Sequence, residues 1–253
     1  MSTFPSTQPV PSLIGLVVVA LDDAGIDLAR LGMAWARATP AVTLVPAFGL
    51  KALPASARGV LAVALAAAIF PALPAVTSTL GSSLWVNLLA QVALGVPVAI
   101  AAAVPLWAAT MAGGVADALR GSSDTSPAPT VEGSATPMGI TFSLFACSMF
   151  FVTGGPARVA LALTLRAPAL NPVLRASEDL TSGISIAVAL GAPLLAASVV
   201  VEVAGALIAR AATPAQLHLL LAPLRALTLL GVLALVLTKL SEALAAVIAH
   251  ARF

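Results

Sequence analysis

The stretch Gly59–Ala116, GVLAVALAAAIFPALPAVTSTLGSSLWVNLLAQVALGVPVAIAAAVPLWAATMAGGVA, contains no Asp, Glu, Lys or Arg. A single apolar crossing of a bilayer needs about 20 residues, so the stretch has room for two crossings and a turn. No water-soluble domain buries an uncharged run of this length, which predicts an integral-membrane-type helical protein. Four prolines, at positions 71, 74, 97 and 105, interrupt the run and predict kinked or broken helices.

The composition of the remaining chain agrees with this class. The chain is 60% hydrophobic and 9% charged, whereas soluble domains average about 25% charged residues. Backbone polar groups in lipid must bond within the chain, which leaves helices or closed barrels. The apolar segments are long and uniform instead of alternating, so the predicted fold is all-α, with proline-kinked hydrophobic helices of membrane-protein type. We expect a single domain over residues 1–253 with a polar central loop at residues 121–137.

Several classes of function are disfavoured by what the sequence contains. The net charge of +2 comes from scattered residues, and no basic cluster indicates nucleic acid. Cys147 is the single cysteine, and neither His218 nor His250 has an acid or cysteine at metal-ligand spacing. No phosphate-binding loop, HExxH or GxSxG pattern is present. We therefore expect no enzymatic activity, no catalytic residue, no metal and no cofactor. The polar start of the chain, without a basic residue, argues against a cleaved signal peptide.

The spacing of apolar and breaking residues predicts the order of the elements. Helices are expected at about Ser12–Thr39, Ser56–Ile69, Leu84–Leu119, Met138–Thr153, Ala157–Ala167, Gly183–Ala212 and Ala215–Ala251. A loop punctuated by prolines is expected at residues 40–54, a turn at residues 78–83, and a polar connection at residues 175–182. Gly154, Gly155 and Pro156 should interrupt the apolar segment that follows the central loop.

Charged residues within the apolar segments leave two interpretations open. Asp23, Asp27, Arg30 and Arg37 would share one face of the first helix, either as a solvated face or as a contact with a neighbouring subunit. Glu202 is the one acid deep in an apolar segment, and such a residue is a functional candidate by default. It would either join a hydrogen-bonded helix contact or serve as a proton or ion relay.

The segment Trp35–Arg58 resembles the opening of the FliR/SctT proteins of type III secretion export apparatus, both flagellar and virulence-associated. In that family an arginine in the first helix precedes a proline, a short loop, a second proline and a basic residue. Arg37, Pro46, Pro54 and Arg58 occupy those places. Further similar segments follow in the family's order, at residues 70–74, 111–121, 149–155, 192–202, 209–216 and 222–224. The central loop departs from the family, since Ser126-Pro127 stands where an Asp-Pro is common.

The resemblance implies a non-enzymatic subunit of a helical, pore-containing export gate. Its partners would be several copies of FliP/SctR-like and FliQ/SctS-like small membrane proteins, an FlhB/SctU-like switch protein and unfolded substrates. The gate would lie at the centre of the secretion basal body in the bacterial inner membrane, largely above the bilayer plane. The resemblance also assigns two groups of residues. Gly113, Gly114 and Gly121 would allow tight packing and a sharp exit into a mobile plug loop that contains Ser122, Ser123, Asp124 and Pro127, while Arg37, Pro46, Pro54, Arg58, Glu202 and Arg210 would contact other subunits.

Three alternatives stay open at this point. The chain could be a small secondary transporter with Glu202 as the coupling residue at a site between broken helices. The glycine pair Gly154-Gly155 favours the injectisome branch over the flagellar branch. The many alanines and glycines either permit close helix packing or only reflect a GC-rich genome.

Overall fold

The computed structural model describes residues 15, 19–20, 23, 25, 27–48, 54–73, 84–121, 125–127, 134–165, 172–211 and 218–250. Most of these residues are helical, so the predicted all-α class of membrane-protein type is confirmed. The helices are α1 (Leu28–Leu44), α2 (Ala55–Ile69), α3 (Leu84–Leu119), α4 (Pro137–Val152), α5 (Gly155–Thr164), α6 (Pro172–Ala211) and α7 (His218–His250). A 3-10 turn, Phe70–Ala72, follows α2, and two antiparallel strands, β1 (Ser126–Pro127) and β2 (Ser134–Ala135), lie between α3 and α4.

Helix α3 is the centre of the described fold. It packs against α1, α4 and α6. An alanine-rich middle, Ala99–Leu106, makes this possible, because seven of its eight residues are buried and the small side chains let neighbouring backbones approach closely. Pro105 within this stretch and Pro97 just before it are both buried, and the helix is continuous through them. Neighbouring helices cover the backbone groups that a proline exposes, so such breaks are tolerated within membrane-type bundles.

The prediction of one helix over residues 12–39 is wrong, because a break at residues 25–27 separates the helical residues 15, 19–20 and 23 from α1, and α1 continues to Leu44. Asp27 has an extended backbone, and its carboxylate accepts hydrogen bonds from the amides of Ala29 (2.9 Å) and Arg30 (3.2 Å), which defines the start of α1. Gly25 has a φ of +72°, which breaks any helix before it. The predicted charged stripe therefore does not lie on a single helix. At its other end α1 continues through the buried Pro40, against which Gly95 of α3 packs, so tertiary packing overrides the proline signal.

Most of the other predicted boundaries are confirmed. Helix α3 has the predicted bounds, α2 stops at the Phe70–Ala72 turn, and Gly154 separates α4 from α5 with a φ of +74° and a bend of 66° between the two axes. The polar connection expected at residues 175–182 is wrong, because this segment is helical and forms the first turns of α6. The turn expected at residues 78–83 lies outside the described residues.

Three of the described helices are long and apolar enough to cross a membrane. They are α2 with its 3-10 turn, α3, and the Leu174–Ala211 part of α6. The number rises to five if α4 with α5, and the two halves of α7, each form one bent span. The lengths and compositions of these helices are those of an integral membrane protein.

Candidate functional site

The carboxyl half of α3 and the start of α4 meet at the base of the central loop, residues 121–137. A Cβ added to Gly113 would lie 2.5 Å from the carbonyl oxygen of Met138, and one added to Gly139 would lie 3.3 Å from the carbonyl oxygen of Thr110. The two backbones are therefore in direct contact, and glycine is required at the point of closest approach. The expectation of tight packing at Gly113 matches this geometry.

The two other glycines predicted for this region have different surroundings. A Cβ on Gly114 would meet only the hydroxyl oxygen of Thr136, at 3.9 Å, which is an ordinary contact. Gly121 has a φ of +76°, and its amide donates to the carbonyl of Ala118 at 3.1 Å. This left-handed glycine ends α3 and turns the chain into the loop. Of the predicted set, Gly113 is thus the packing position and Gly121 the turn.

A buried carboxylate, Asp117, ties the two ends of the loop together. Its side chain is 0% exposed, one oxygen accepts a 2.7 Å hydrogen bond from the amide of Met138, and the other pairs with the guanidinium of Arg120. Arg120 precedes the loop and Met138 follows it, so a single side chain contacts both ends. The negative charge of the Asp117 carboxylate also interacts favourably with the partially positive amino end of α4.

The amino end of α4 has a hydrogen-bond partner for each of its first donors. Pro137 occupies the first helical position and has no amide hydrogen, which suits that place. Met138 donates to Asp117, and Gly139 donates to the hydroxyl of the N-cap residue Thr136 at 3.4 Å. The next amide, that of Ile140, donates to the carbonyl of Thr136 at 2.9 Å. Asp117 therefore supplies the one bond that α4 cannot provide for itself.

The loop between these two ends includes a short ribbon. Ser126 is paired with Ala135, and Pro127 with Ser134, in an antiparallel register. The predicted plug residue Pro127 thus belongs to β1. The other three predicted plug residues, Ser122, Ser123 and Asp124, lie outside the described residues.

Arg37, predicted to contact other subunits, is engaged within the chain. It is 7% exposed and donates a 2.7 Å hydrogen bond to the carbonyl of Leu165, which caps the carboxyl end of α5. Burial lowers the pKa of the Arg37 guanidinium, because desolvation disfavours the charged form. The reason for the difference is geometric, since α1 turns this residue inward towards α5.

Two other arginines cap helix ends in the same way. Arg30 donates to the carbonyls of Pro71 (3.2 Å) and Leu73 behind α2, and its guanidinium lies 4.8 Å from the ring centre of Phe70. Arg158 on α5 donates to the carbonyl of Ile248, in the last turn of α7, at 2.8 Å. Each guanidinium satisfies carbonyls that a helix end leaves without internal partners.

The remaining residues predicted to contact subunits fall in three places. Pro46 is buried just after α1, whereas Pro54 is the exposed N-cap of α2 and Arg58 is half-buried in the first turn of that helix. Glu202 and Arg210 are both exposed on α6. The structure therefore leaves Pro54, Glu202 and Arg210 accessible to a partner and encloses Pro46.

Sequence reasoning missed Asp117 and Gly95. Asp117 is the first charged residue after the uncharged stretch, and this position could have marked it as a candidate functional residue. A Cβ on Gly95 would collide with the carbonyl oxygen of Arg37, so Gly95 fixes the crossing of α3 and α1. No cluster of three His, Cys, Asp or Glu residues that could hold a metal ion occurs in the part of the chain that the structure describes.

Comparison with known proteins identifies the family. The sequence profile of the bacterial export proteins, family 1, matches residues 28–251. The chain belongs to this family. The matched range begins at the first residue of α1 and covers all seven described helices together with the central loop. The predicted membership of the FliR/SctT family is confirmed.

One curated relative adds a more specific similarity. The secretion system apparatus protein SsaT of Salmonella typhimurium (strain LT2) is 40% identical over 73 residues. The aligned segment covers 28% of this chain and 28% of the relative, so the match spans less than a third of that protein.

Proposed function

We propose that this chain is a non-enzymatic subunit of a type III secretion export gate, which forms a channel for unfolded protein substrates with FliP/SctR-like and FliQ/SctS-like subunits. The family and the partial similarity to a secretion system apparatus protein support this function. The observation that carries it is the apolar surface of α6. The most apolar 18-residue stretch of this helix is only 28% buried, although its mean hydropathy of 2.4 exceeds that of the corresponding stretch of α3.

The lengths of the two longest helices favour contact with protein over contact with lipid alone. Helix α3 has 36 residues and α6 has 40, which correspond to about 54 Å and about 60 Å. The hydrocarbon core is about 30 Å thick, and a 60 Å helix would fit within it only at a tilt of about 60°. Spanning helices tilt by up to about 40°. We therefore infer that part of α6 lies outside the bilayer and packs against other subunits.

The side chains exposed on α6 suit such packing. Large apolar residues such as Val199, Val203 and Leu207 alternate with small ones such as Ala196 and Ala204. Small residues let a second helix approach closely, and van der Waals packing is the main source of helix association where water is excluded. A helical partner of similar apolar character, as in the FliP/SctR-like and FliQ/SctS-like proteins, fits this surface.

The central loop is proposed to plug the closed channel. A pore wide enough for an unfolded chain would leak ions unless something fills it. Residues 121–137 are polar, begin at the left-handed Gly121 and have both ends held at Asp117, so the intervening segment can extend into a pore from a fixed base. The gate would reside in the inner membrane at the centre of the basal body, together with an FlhB/SctU-like protein.

Removing the loop tests the proposed function. A deletion of residues 122–135 spares Thr136, which caps α4, and should increase ion leak through the gate while the complex still assembles. Leak is measured as conductance of the purified complex in planar bilayers, and assembly by copurification and mass spectrometry. The matched control replaces the same residues with a polar Gly/Ser segment of equal length. Unchanged conductance in the deletion would contradict the plug, and purification without companion proteins would contradict the gate.

The alternative function, a secondary transporter coupled through Glu202, requires that residue inside a site formed by the chain's own helices. Glu202 is exposed on α6, so its position favours a surface that meets another subunit. Stoichiometry separates the two hypotheses, because a transporter would purify as a monomer or a symmetric oligomer.

A further inference from the structure

We propose that a cavity between α4 and α7 binds one acyl chain of a membrane phospholipid. The cavity has a volume of about 430 Å³ and is partly open to the outside. One face of α4, between Thr141 and Met149, forms one wall, and one face of α7, between Leu237 and Leu244, forms the other. The inference does not depend on the proposed export function, because it uses only this cavity and the membrane-type helices around it.

The wall of the cavity is apolar. Phenylalanine, leucine and methionine side chains provide most of it, and no charged side chain of the described residues lines it. The hydroxyls of Thr141 and Ser241 donate to carbonyls of their own helices, those of Pro137 (2.9 Å) and Thr238 (2.7 Å). A polar ligand would therefore lose its hydrogen bonds to water without replacing them. Because apolar cavities stay dry and take up hydrocarbon ligands, the chemistry of this wall selects a hydrocarbon.

The cavity follows the two helices along their length. From Thr141 to Met149 is a rise of eight residues, or about 12 Å, and from Leu237 to Leu244 a rise of seven, or about 10 Å. The volume lies within the range of about 300–1,000 Å³ that is usual for pockets that bind small ligands. A space that extends along two neighbouring helices for about two turns suits a linear chain.

One end of the cavity is polar and exposed, and the other is apolar and buried. Arg158, in the first turn of α5, donates to the carbonyl of Ile248 near the end of α7, so the carboxyl ends of α4 and α7 lie on the same side. The exposed Thr141 and Thr238 therefore lie towards the opposite end from the buried Leu244. A phospholipid has the same arrangement, with ester oxygens at one end of the acyl chain and hydrocarbon beyond them.

The Thr238 hydroxyl favours a lipid over a helix of a partner subunit. This hydroxyl has no hydrogen-bond acceptor among the described residues. The ester carbonyl of a lipid can accept its proton, whereas the carbonyls of a partner helix are already bonded along that helix. In addition, α4 with α5 and the two halves of α7 are apolar enough to form bent membrane spans. A cavity between such helices is within reach of the acyl chains of a bilayer.

Photochemical labelling tests the assignment. The full chain, with the subunits that copurify with it, is reconstituted into vesicles of phosphatidylethanolamine and phosphatidylglycerol that contain a phospholipid with a diazirine in one acyl chain. After illumination, mass spectrometry locates the adducts. A diazirine near the ester should label α4 and α7 around Thr141 and Thr238, and one near the methyl end should label them around Met149 and Leu244. Adducts spread evenly over exposed apolar residues of other helices, such as Val199, would show bulk lipid contact only and would overturn the site.

Filling the cavity provides the decisive variant. Ser241→Leu adds apolar bulk inside the cavity. Each methylene of the ligand that loses its contacts weakens binding by roughly fourfold, so displacement of two or more should lower the labelling of the cavity by at least about tenfold. Ser148→Leu is the matched control, because Ser148 is exposed on α4 outside the cavity and its hydroxyl also donates to a carbonyl three residues earlier at 2.7 Å. Equal labelling of the two variants would overturn the proposal.

A second variant keeps the test open if Ser241→Leu fails to accumulate. Thr238→Val keeps the shape of the side chain and removes the hydroxyl, so labelling around Thr141 by the probe near the ester should fall by about fivefold. Unchanged labelling there would mean that no ester lies at this end, which overturns the lipid. The lipid is also wrong if the cavity carries no adducts while a photoreactive amino acid placed at position 241 forms crosslinks to another subunit.

Discussion

Helices α3 and α6 have similar apolar compositions but different surroundings. The most apolar 18-residue stretches of α3 and α6 have mean hydropathies of 2.1 and 2.4, and both helices contain prolines. However, 61% of this stretch is buried within the chain in α3, against 28% in α6. Apolar composition therefore specifies exclusion from water and does not specify the neighbour that provides it.

The difference lies in where backbones touch. On α3, a Cβ at Gly95 or Gly113 would collide with a carbonyl oxygen of α1 or α4. On α6, Gly183 fits against a methyl group of Val104 on α3, while the opposite face exposes residues such as Val200 and Leu207. The middle of α3 is therefore enclosed by the chain's own helices, whereas α6 leaves an apolar face that the proposed function assigns to partner subunits. Four experiments test whether these two helices differ in this way.

The largest effect is expected from one methyl group at the α3–α4 crossing. Gly113→Ala places a Cβ 2.5 Å from the carbonyl oxygen of Met138, and neither backbone can shift without the other. Overpacking costs about 1–3 kcal/mol in ordinary cores, and backbone against backbone should reach the upper end or exceed it. We expect the chain to accumulate poorly, as measured by immunoblot of membranes.

Gly114→Ala is the matched control, since its Cβ meets only a hydroxyl oxygen at 3.9 Å. It should accumulate normally, and alanine is the better helix former by about 1 kcal/mol. Equal accumulation of the two variants would show that α3 is not packed as tightly as described.

The next effect concerns assembly. Ala196→Phe adds bulk to the exposed face of α6. Fluid lipid accommodates an added ring, whereas a close helix partner does not, so we expect the chain to accumulate while its copurification with the small membrane proteins falls by at least about tenfold. Val188→Leu on the same helix is the conservative control. Normal copurification of Ala196→Phe would indicate that this face meets lipid.

A smaller effect separates internal arginines from surface arginines. Arg37→Met leaves the carbonyl of Leu165 without its donor and should lower the free energy of unfolding by about 1–3 kcal/mol. Arg210→Met alters an exposed residue at the end of α6 and should change stability little. Thermal unfolding of the purified complex in detergent measures both variants. Equal stability of the two would mean that the cap on α5 contributes nothing.

The smallest effect is expected at Lys239 and Glu242 on α7, which form a 2.9 Å ion pair with side chains 78% and 59% exposed. Solvent screens such pairs, so Glu242→Gln should change the free energy of unfolding by no more than about 0.5 kcal/mol. A shift of several degrees in the melting temperature would show that a partner buries this pair in the assembly.

Helix bounds were predicted well from the sequence where no packing contact opposed the helix-breaking residues. The bounds of α3 and the break at Gly154 followed from glycines, prolines and uninterrupted apolar runs. It failed where a local signal competed with packing. Pro40 lies inside α1 because α3 packs against it, and the polar residues 175–182 continue a helix because residues such as Arg175 and Glu178 are good helix formers.

The site was only partly predictable for a related reason. Gly113 and Gly121 were identifiable from the family pattern, because close approach and a left-handed turn both require glycine. The role of Asp117 depends on residues 3 and 21 positions away, and spacing of that kind has no local signature. The inward direction of Arg37 likewise depends on Leu165 at the end of α5, which lies 128 residues later.

The use of arginine to cap helix ends also affects how this molecule meets its surroundings. The isoelectric point of about 9.3 describes a basic protein. Yet Arg30, Arg37 and Arg158 direct their cations at the partially negative ends of the chain's own helices. Three of the twelve basic side chains are thus used inside the chain, so the surface offers anionic groups less positive charge than the isoelectric point indicates.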